Sequence, residues 1–299
     1  MYDIIIIGGG CAGLTAALYA ARAEKSVLIL ESENIGGQIT ASPKVENYPG
    51  IPDISGMDFS QRLFDQAIGF GAEFKLEEVL KINDGDVKKV VTDAGEHEAR
   101  AVIIASGVKH RKLGIENEDK LVGRGISYCA VCDGAFFRGM DVAVVGGGST
   151  AFSDALFLSA YCKTVYIIHR RDAFRAEPNL VTRAREKENI KIITNAVVVS
   201  AAFDKRLSGI EIASTVTDEK TYIDIQGLFV AIGHVPESKV YRDLVECDAY
   251  GYIKAGEDCK TSAKGIFAAG DCRTKAVRQL ATAAADGAVC AIAACEYLD

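Results

Sequence analysis

DIIIIGGGCAGLTAALYAARAEKSVLILE (residues 3–31) and DVAVVGGGSTAFSDALFLSAYCKTVYIIH (residues 141–169) follow one pattern, at a constant offset of 138 residues and without a gap. Each copy begins as an apolar strand, turns on glycines, continues as an Ala- and Leu-rich helix and ends as a second strand. The turn positions are Gly8, Gly10 and Gly13 in the first copy and Gly146, Gly148 and Ala151 in the second. In this context, a glycine turn predicts a dinucleotide site. The sequence therefore predicts two such sites.

The residue that closes the second strand differs between the copies. Glu31 closes the first copy, where a carboxylate accepts hydrogen bonds from ribose hydroxyls and repels a phosphate. His169 closes the second copy. It is followed by Arg170, Arg171 and Arg175, whose guanidinium groups bind phosphate in a bidentate manner. We expect FAD or NAD in the first site and NADPH in the second; the alternative for the arginines is a solvated run of charge.

Length and composition bound the class of protein. The chain has 299 residues, 49% of them hydrophobic, which is enough for two domains with full cores. Its net charge of −7 disfavours binding to nucleic acid or to an anionic membrane surface. No apolar run is expected to be long enough to span a membrane. The apolar residues 4–7 end in glycines after four positions and predict a buried parallel strand, not a signal peptide.

The nine cysteines are an odd number, scattered without a disulfide framework, which indicates a reducing cytoplasm. Cys11, Cys162 and Cys290 lie on predicted Ala-rich helices and are expected to be small core residues. The four histidines are far apart in the chain, so no metal site is expected.

One pair of cysteines stands out, Cys129 and Cys132 in a CxxC motif nine residues before the second copy. Such a pair can be a zinc half-site, a coincidence or a redox couple, and the spacing alone does not decide. The absence of a second CxxC removes most of the case for zinc. Asp133 places a carboxyl beside the pair, and a local helix start would stabilise a thiolate. Two dinucleotide sites and one dithiol suggest an electron relay.

The rest of the chain indicates how the domains are arranged. An amphipathic helix is expected near residues 57–70, and the apolar runs 102–107 and 228–233 end alike in glycine. Residues 265–271 and an Ala-rich helix over 276–297 have no glycine turn of their own, so they must complete another domain. The expected fold class is α/β, with two Rossmann-like, three-layer ββα dinucleotide-binding domains, the second inserted into the first. The predicted limits are 1–112 and 244–299 for the FAD domain and 113–243 for the NADPH domain, with hinge strands near 111–115 and 240–246.

Several motifs together resemble those of the low-molecular-weight, bacterial-type thioredoxin reductases. They are Cys129-Ala130-Val131-Cys132-Asp133-Gly134, the set His169, Arg170, Arg171 and Arg175, Ala231-Ile232-Gly233-His234 with Pro236, and Gly270-Asp271 followed by Arg278-Gln279. The resemblance covers the whole chain. It implies a cytoplasmic homodimeric flavoprotein that passes electrons from NADPH through FAD to its own disulfide and then to thioredoxin.

The same resemblance implies roles for individual residues. Cys132 would face the flavin, Cys129 would attack the disulfide of the partner, and Asp133 would be the acid/base. Asp271 would hold the ribityl and pyrophosphate region of FAD, with Arg278 and Gln279 near the flavin ring. The full set of expected cofactor-binding residues is Gly8, Gly10, Cys11, Ala12, Gly13, Glu31, Gly37, Gln38, Asn47, Ala105, Gly107, Gly270, Asp271, Arg278 and Gln279 for FAD, and Gly146, Gly148, Ser149, Thr150, His169, Arg170, Arg171, Arg175, Ile232 and Gly233 for NADPH.

The chain departs from the family at Ser153-Asp154, where two consecutive glutamates are common, and this difference bears on how the nicotinamide is oriented.

The motifs leave two other functions open. One is a flavin-dependent dithiol oxidase, which would not need the basic residues. The other is a non-catalytic flavin sensor, which would not need the second dinucleotide site. Because the dithiol and the NADPH motif share one domain and must both reach one flavin, we expect that domain to turn about its hinge.

Overall fold

The structure is a computed structural model that describes residues 1–42 and 44–299. Within these ranges the strands are β1 (Tyr2–Ile7), β2 (Val27–Glu31), β3 (Glu73–Leu76), β4 (Val79–Asn83), β5 (Lys88–Thr92), β6 (Glu96–Ile104), β7 (Val108–His110), β8 (Ile126–Ser127), β9 (Asp141–Val145), β10 (Thr164–Ile168), β11 (Ile190–Ile193), β12 (Ala196–Phe203), β13 (Leu207–Ser214), β14 (Lys220–Asp224), β15 (Gly227–Val230), β16 (His234–Pro236) and β17 (Ile266–Ala268). The helices are α1 (Cys11–Arg22), α2 (Gly56–Gly69), α3 (Glu118–Leu121), α4 (Ala130–Asp133), α5 (Ser149–Leu158), α6 (Pro178–Arg185) and α7 (Leu280–Leu298). The two copies of the repeated motif form β1-α1-β2 and β9-α5-β10.

The chain divides into two compact units, Met1–Lys109 with Val235–Asp299 and His110–His234. The segments that connect them, β7 and β16, pair with each other as a two-stranded sheet. Both changes of unit come earlier than the predicted limits at 112 and 243, and residues 240–246, where a hinge strand is predicted, lie within the first unit. The reason is that Tyr241 and Val245 are buried in the apolar core of the first unit.

The first unit is built on parallel strands in the order β3-β2-β1-β6, and β5 and β4 extend the sheet beyond β6. Strand β17, from the C-terminal part of the chain, pairs in parallel with β6 and so completes this unit. Ile4 and Ile6 of β1 face the side covered by α1 and α7, whereas Ile5 and Ile7 face the opposite core. Because both faces are covered, the strand is a continuous apolar run.

The second unit has a parallel sheet in the order β11-β10-β9-β15-β8 and an antiparallel sheet in the order β12-β13-β14. On one face of the parallel sheet, Phe152 and Leu158 of α5 are fully buried. On the other face, Ile210 and Ile212 of the antiparallel sheet pack against Leu228 of β15. Helices, parallel sheet and antiparallel sheet form three layers, which confirms the predicted α/β class.

Helix α7 is long and apolar enough, by length and composition alone, to cross a membrane. The expectation that no run reaches this length is therefore wrong, because alanines and cysteines make the helix moderately apolar throughout. This is weak evidence for a membrane, since a core helix passes the same test, and Cys290, Ala291 and Ala294 are buried in the core of the first unit. The helix begins at Leu280 and not at 276, because Gln279 and Thr282 form a capping box there.

Candidate functional site

The first glycine turn combines close packing with open space. A Cβ on Gly8 would lie 2.4 Å from the carbonyl oxygen of Ala105, and one on Gly13 would lie 1.9 Å from that of Gly8. These two glycines therefore let α1 approach the sheet. A Cβ on Gly10 would meet its nearest atom, a carbonyl oxygen, only at 3.9 Å. The space beside Gly10, at the N-terminus of α1, is what a phosphate group needs.

The second glycine turn repeats this geometry. A Cβ on Gly146 would lie 2.4 Å from the carbonyl oxygen of Ala231, whereas one on Gly148 would have no neighbour within 4 Å. Ala151 replaces the third glycine and is fully buried. The open position again lies at the start of a helix, α5, whose first residues are Ser149 and Thr150.

Glu31, at the end of β2, is held against the first turn. Its Oε2 accepts a hydrogen bond from the N–H of Gly9 at 2.7 Å, and its Oε1 accepts one from the N–H of Glu33 at 2.9 Å. Each carboxylate oxygen has a second lone pair. The side chain can therefore also accept hydrogen bonds from ribose hydroxyls.

Asp271, which follows Gly270, is half-buried, and its Oδ1 atom is buried with no hydrogen-bond partner within the described residues. Burial raises the pKa of this carboxyl, while the charges of Lys275 and Arg278 oppose the rise. A buried acceptor without a partner is costly and usually has a ligand or water to satisfy it. Asp271 therefore fits a bound group that carries hydroxyl donors, as the ribityl chain of FAD does.

A buried ionic cluster lies behind this turn. Asp286 of α7 accepts hydrogen bonds from Gly270 N–H at 2.9 Å, from Arg273 Nε and Nη2 at 2.8 and 2.7 Å, and from Lys275 Nζ at 2.9 Å. Burial alone would raise the pKa of Asp286, but the hydrogen bonds from Arg273 and Lys275 outweigh it and the pKa is lowered. The cluster ties α7 to the Gly270 turn.

The other residues predicted for the first site come together in the first unit. Cys11 Sγ contacts the carbonyl oxygen of Leu280 at 3.6 Å, and Asn47 Nδ2 donates to Gln279 Oε1 at 3.1 Å. The Arg278 guanidinium lies 4.2 Å from the ring centroid of Tyr252. Gln38 Nε2 donates a hydrogen bond to the carbonyl oxygen of Val108. Gly36, the neighbour of Gly37, forms an isolated parallel β-bridge with Gly10.

In the second unit, the segment after β10 folds back onto the glycine turn. The N–H of Arg175 donates to the carbonyl of Gly147 at 2.8 Å. Arg170, Arg171 and Arg175 are exposed, and no ion pair of their guanidinium groups occurs in the part of the chain that the structure describes. They are therefore available to a phosphate.

His169 has a different position from the arginines. It is buried against the glycine turn, where a Cβ on Gly147 would lie 2.3 Å from its ring, and its Nε2 is 3.2 Å from the carbonyl oxygen of Ala173. Burial, with the nearby arginine charges, lowers its pKa. A neutral imidazole here shapes the turn.

Cys129 and Cys132 form a disulfide across the single turn of α4. Cys129 is the N-cap, and its Sγ accepts a hydrogen bond from the N–H of Cys132 at 3.1 Å. Asp133 Oδ2 accepts a hydrogen bond from the hydroxyl of Ser127 at 2.6 Å, whereas Oδ1 is buried without a partner among the described residues. Burial raises the pKa of Asp133 and the Ser127 hydroxyl opposes the rise. The segment thus combines a disulfide with a carboxyl that can hold a proton.

The isolated cysteines predicted to be core residues, Cys11, Cys162 and Cys290, are buried and free, as expected. The prediction that all three lie on helices is wrong for Cys162, because α5 ends four residues earlier, at Leu158. Sequence reasoning missed Ser127 and the cluster of Asp286, Arg273 and Lys275. No motif marks these residues, because the partners are brought together by turns and not by a fixed spacing along one helix or strand.

Comparisons with known proteins identify the family. The model of the pyridine nucleotide-disulphide oxidoreductase family matches residues 2–287. The chain is 44% identical over 302 residues to the bifunctional thioredoxin reductase/thioredoxin of Mycobacterium leprae. The match covers 100% of this chain and 66% of that protein. It is 43% identical over 301 residues to the thioredoxin reductase of Mycolicibacterium smegmatis, covering 100% of this chain and 97% of that one. The solved thioredoxin reductase from Streptococcus pyogenes is 41% identical, with a TM-score of 0.95 and coverage of 100% and 98%.

Proposed function

The chain belongs to the pyridine nucleotide-disulphide oxidoreductase family, and we propose that it works as a thioredoxin reductase. In the proposed reaction, NADPH, one proton and the disulfide of thioredoxin give NADP⁺ and the thioredoxin dithiol. The observation that carries the proposal is the Cys129–Cys132 disulfide beside the half-buried Asp133 carboxyl, in the same unit as a glycine turn flanked by exposed arginines.

The first unit is assigned to FAD. The open space at Gly10, the carboxylate of Glu31 and the unpartnered Oδ1 of Asp271 fit a dinucleotide with hydroxyl donors on both sides of its diphosphate. When bound, FAD supplies an isoalloxazine ring that accepts a hydride and gives up two electrons. Cys11, Ala12, Gly37, Gln38, Asn47, Ala105, Gly107, Arg278 and Gln279 complete the proposed site.

The second unit is assigned to NADPH. Gly146 and Gly148 leave room for the diphosphate at the start of α5. The exposed Arg170, Arg171 and Arg175 would hold the 2′-phosphate, because guanidinium groups match phosphate geometry and stay charged. Ser149, Thr150, Ile232 and Gly233 lie at the remaining positions of this proposed site, with His169 packed beneath the turn.

The two cysteines take different roles in the proposal. Cys132 would be the sulfur that exchanges electrons with the flavin, and Cys129 would attack the disulfide of thioredoxin to form a mixed disulfide, which Cys132 would then resolve. The N–H of Cys132, which already contacts Cys129 Sγ, would stabilise the Cys129 thiolate after reduction. Asp133 would hold the proton that a thiol gives up as exchange begins.

The proposal includes a turn of the second unit. The dithiol and the NADPH site lie in one unit and must each exchange electrons with a flavin bound by the other. Only β7 and β16 connect the units, so these strands are the proposed hinge. A cross-link that traps the dithiol-facing state is expected to abolish flavin reduction by NADPH until it is released.

We also propose that the enzyme is a cytoplasmic homodimer that binds neither nucleic acid nor a membrane. The net charge of −7 supports the last two points, because it repels polyanions and anionic lipid. Light scattering of the flavin-loaded protein would give its mass in solution.

Anaerobic titration of the flavin-loaded protein tests the function directly. NADPH is expected to bleach the flavin absorbance, and oxidised thioredoxin is expected to restore it. In a Cys129→Ser/Cys132→Ser double variant, NADPH should still bleach the flavin and thioredoxin should no longer restore the colour. Restoration by thioredoxin in the double variant would contradict the assigned path. Fast restoration by oxygen alone, in the unmodified protein, would instead favour a dithiol oxidase.

A further inference from the structure

Ser127 is a buried hydroxyl placed between the disulfide and its neighbouring carboxyl. It is the last residue of β8 and is 4% exposed. Its Oγ lies 2.6 Å from Asp133 Oδ2, accepts a hydrogen bond from the N–H of Cys129 at 3.0 Å, and lies 3.3 Å from the carbonyl oxygen of Cys129. One side chain therefore contacts both the first residue of the CxxC motif and the residue that follows it.

The donor count decides where the serine proton lies. A hydroxyl has one proton to donate and two lone pairs to accept with. The N–H of Cys129 occupies a lone pair, and the proton can go either to Asp133 Oδ2 or to the Cys129 carbonyl. The contact to the carboxylate, at 2.6 Å, has the length of a charge-assisted O–H···O⁻ bond, whereas the carbonyl contact, at 3.3 Å, is long. Ser127 therefore donates to Asp133 when that carboxyl is ionised.

The two oxygens of Asp133 are consequently different. Oδ2 is occupied by Ser127, and Oδ1 is buried with no partner within residues 1–42 and 44–299. We propose that Ser127 is a positioning residue that fixes Oδ2 of Asp133, so that Oδ1 is the atom that carries the proton exchanged with the dithiol. This inference rests on the acid/base role of Asp133 in the proposed function, and it adds which atom acts and what orients it.

The hydrogen bond from Ser127 also affects the pKa of Asp133. Burial raises the pKa of Asp133, and the Ser127 hydroxyl, which stabilises the ionised form, lowers it. Removing the hydroxyl is therefore expected to raise the pKa. Among the elements packed on α4, helix α5 brings one other carboxyl, Asp154, whose pKa burial raises to about 6; residues 134–137 and β8 bring no ionisable side chain. Any pH experiment must therefore distinguish the titration of Asp154 from that of Asp133.

The direct test is infrared titration of the protonated carboxyl band in the oxidised, flavin-loaded protein. Asp133→Asn identifies the band of Asp133 by its loss. Ser127→Ala is expected to move the midpoint upward by about 1 to 2 pH units, the loss of one hydrogen bond to a charged group. Ser127→Thr keeps the hydroxyl and should keep the midpoint. Ser208→Ala removes an exposed serine of the same unit and should change nothing, and the shift should persist in an Asp154→Asn background.

The pH profile of thiol–disulfide exchange between the pre-reduced enzyme and oxidised thioredoxin is the second readout. It should move with the infrared midpoint in Ser127→Ala and stay unchanged in Ser127→Thr. If Ser127→Ala does not fold, Ser127→Cys, a weak donor of similar size, should show the same direction of shift. An unmoved infrared midpoint in the folded variant overturns the role of Ser127. Unchanged exchange in Asp133→Asn, by contrast, overturns the acid/base role in the proposed function whatever the infrared result.

Discussion

Replacing Asp286 by asparagine should destabilise the first unit strongly. The carboxylate is 7% exposed and neutralises two cations that are themselves buried, Arg273 and Lys275. An asparagine of the same shape removes the charge and leaves the cations without compensation. Breaking one partner out of a buried ion pair typically costs about 3–5 kcal/mol of folding free energy. The hydrogen bond from Gly270 N–H to Asp286 weakens as well, so the turn that carries Asp271 should retain FAD less tightly.

Urea unfolding with and without added FAD measures both effects. The matched control is Glu246→Gln, which removes a pair with Lys254 whose side chains are 68% and 55% exposed and should cost at most about 1 kcal/mol. Because the pKa of Asp286 is lower in the folded state, its contribution to the free energy of unfolding depends on pH. The stabilisation is present above the pKa of the unfolded state, 3.8, and is lost as the pH falls through the lower pKa of the folded state. In Asp286→Asn, the free energy of unfolding should therefore depend less on pH in this acidic range. A cost for Asp286→Asn no larger than that of the control would refute the reasoning.

Three further predictions concern the cofactor and thiol sites. Neutral replacement of Arg170 and Arg175 should erase a preference for NADPH over NADH, since each charge-assisted contact is worth about 1.5–3 kcal/mol; equal kcat/KM for both coenzymes in the unmodified protein would contradict this. Cys129→Ser should show long-wavelength charge-transfer absorbance from a thiolate against oxidised flavin, and Cys132→Ser should not; the opposite spectra would exchange their roles. Gly148→Ala meets no protein atom within 4 Å, so Tm should hold while KM for NADPH rises, and an unchanged KM would remove Gly148 from the site.

The repeated motif was predictable because it is local. A strand, a glycine turn and a helix are specified by side chains within about thirty residues. The glycines at positions 10 and 148, which border open space, indicate where a ligand binds. The predicted C-terminal limit of the inserted unit, residue 243, differs from the observed one, His234, for the opposite reason. Tyr241 and Val245 have no local signal, and their assignment to the first unit follows from contacts with strands near the other end of the chain.

The chemistry around the dithiol was predictable only in part. The CxxC motif and the adjacent Asp133 are visible in the sequence, but the hydrogen bond that distinguishes the two oxygens of Asp133 is not. Ser127 is separated from Asp133 by a turn whose geometry no residue pattern specifies. The cluster around Asp286 is hidden similarly, since a carboxylate on an Ala-rich helix gives no sign of its partners before the fold brings Arg273 beside it.

The discontinuous first unit has a consequence for synthesis on the ribosome. Its sheet needs β17, which pairs with β6, and its helical layer needs α7, whose Ala291 and Ala294 share a core with Leu14 of α1. These elements emerge after the second unit, which is a single continuous segment. The inserted unit can therefore fold while the N-terminal segment still exposes the edge of β6 at residues 102–104 and the apolar face of α1. During that interval the nascent chain is most prone to aggregate, and residues 235–299 then complete the unit.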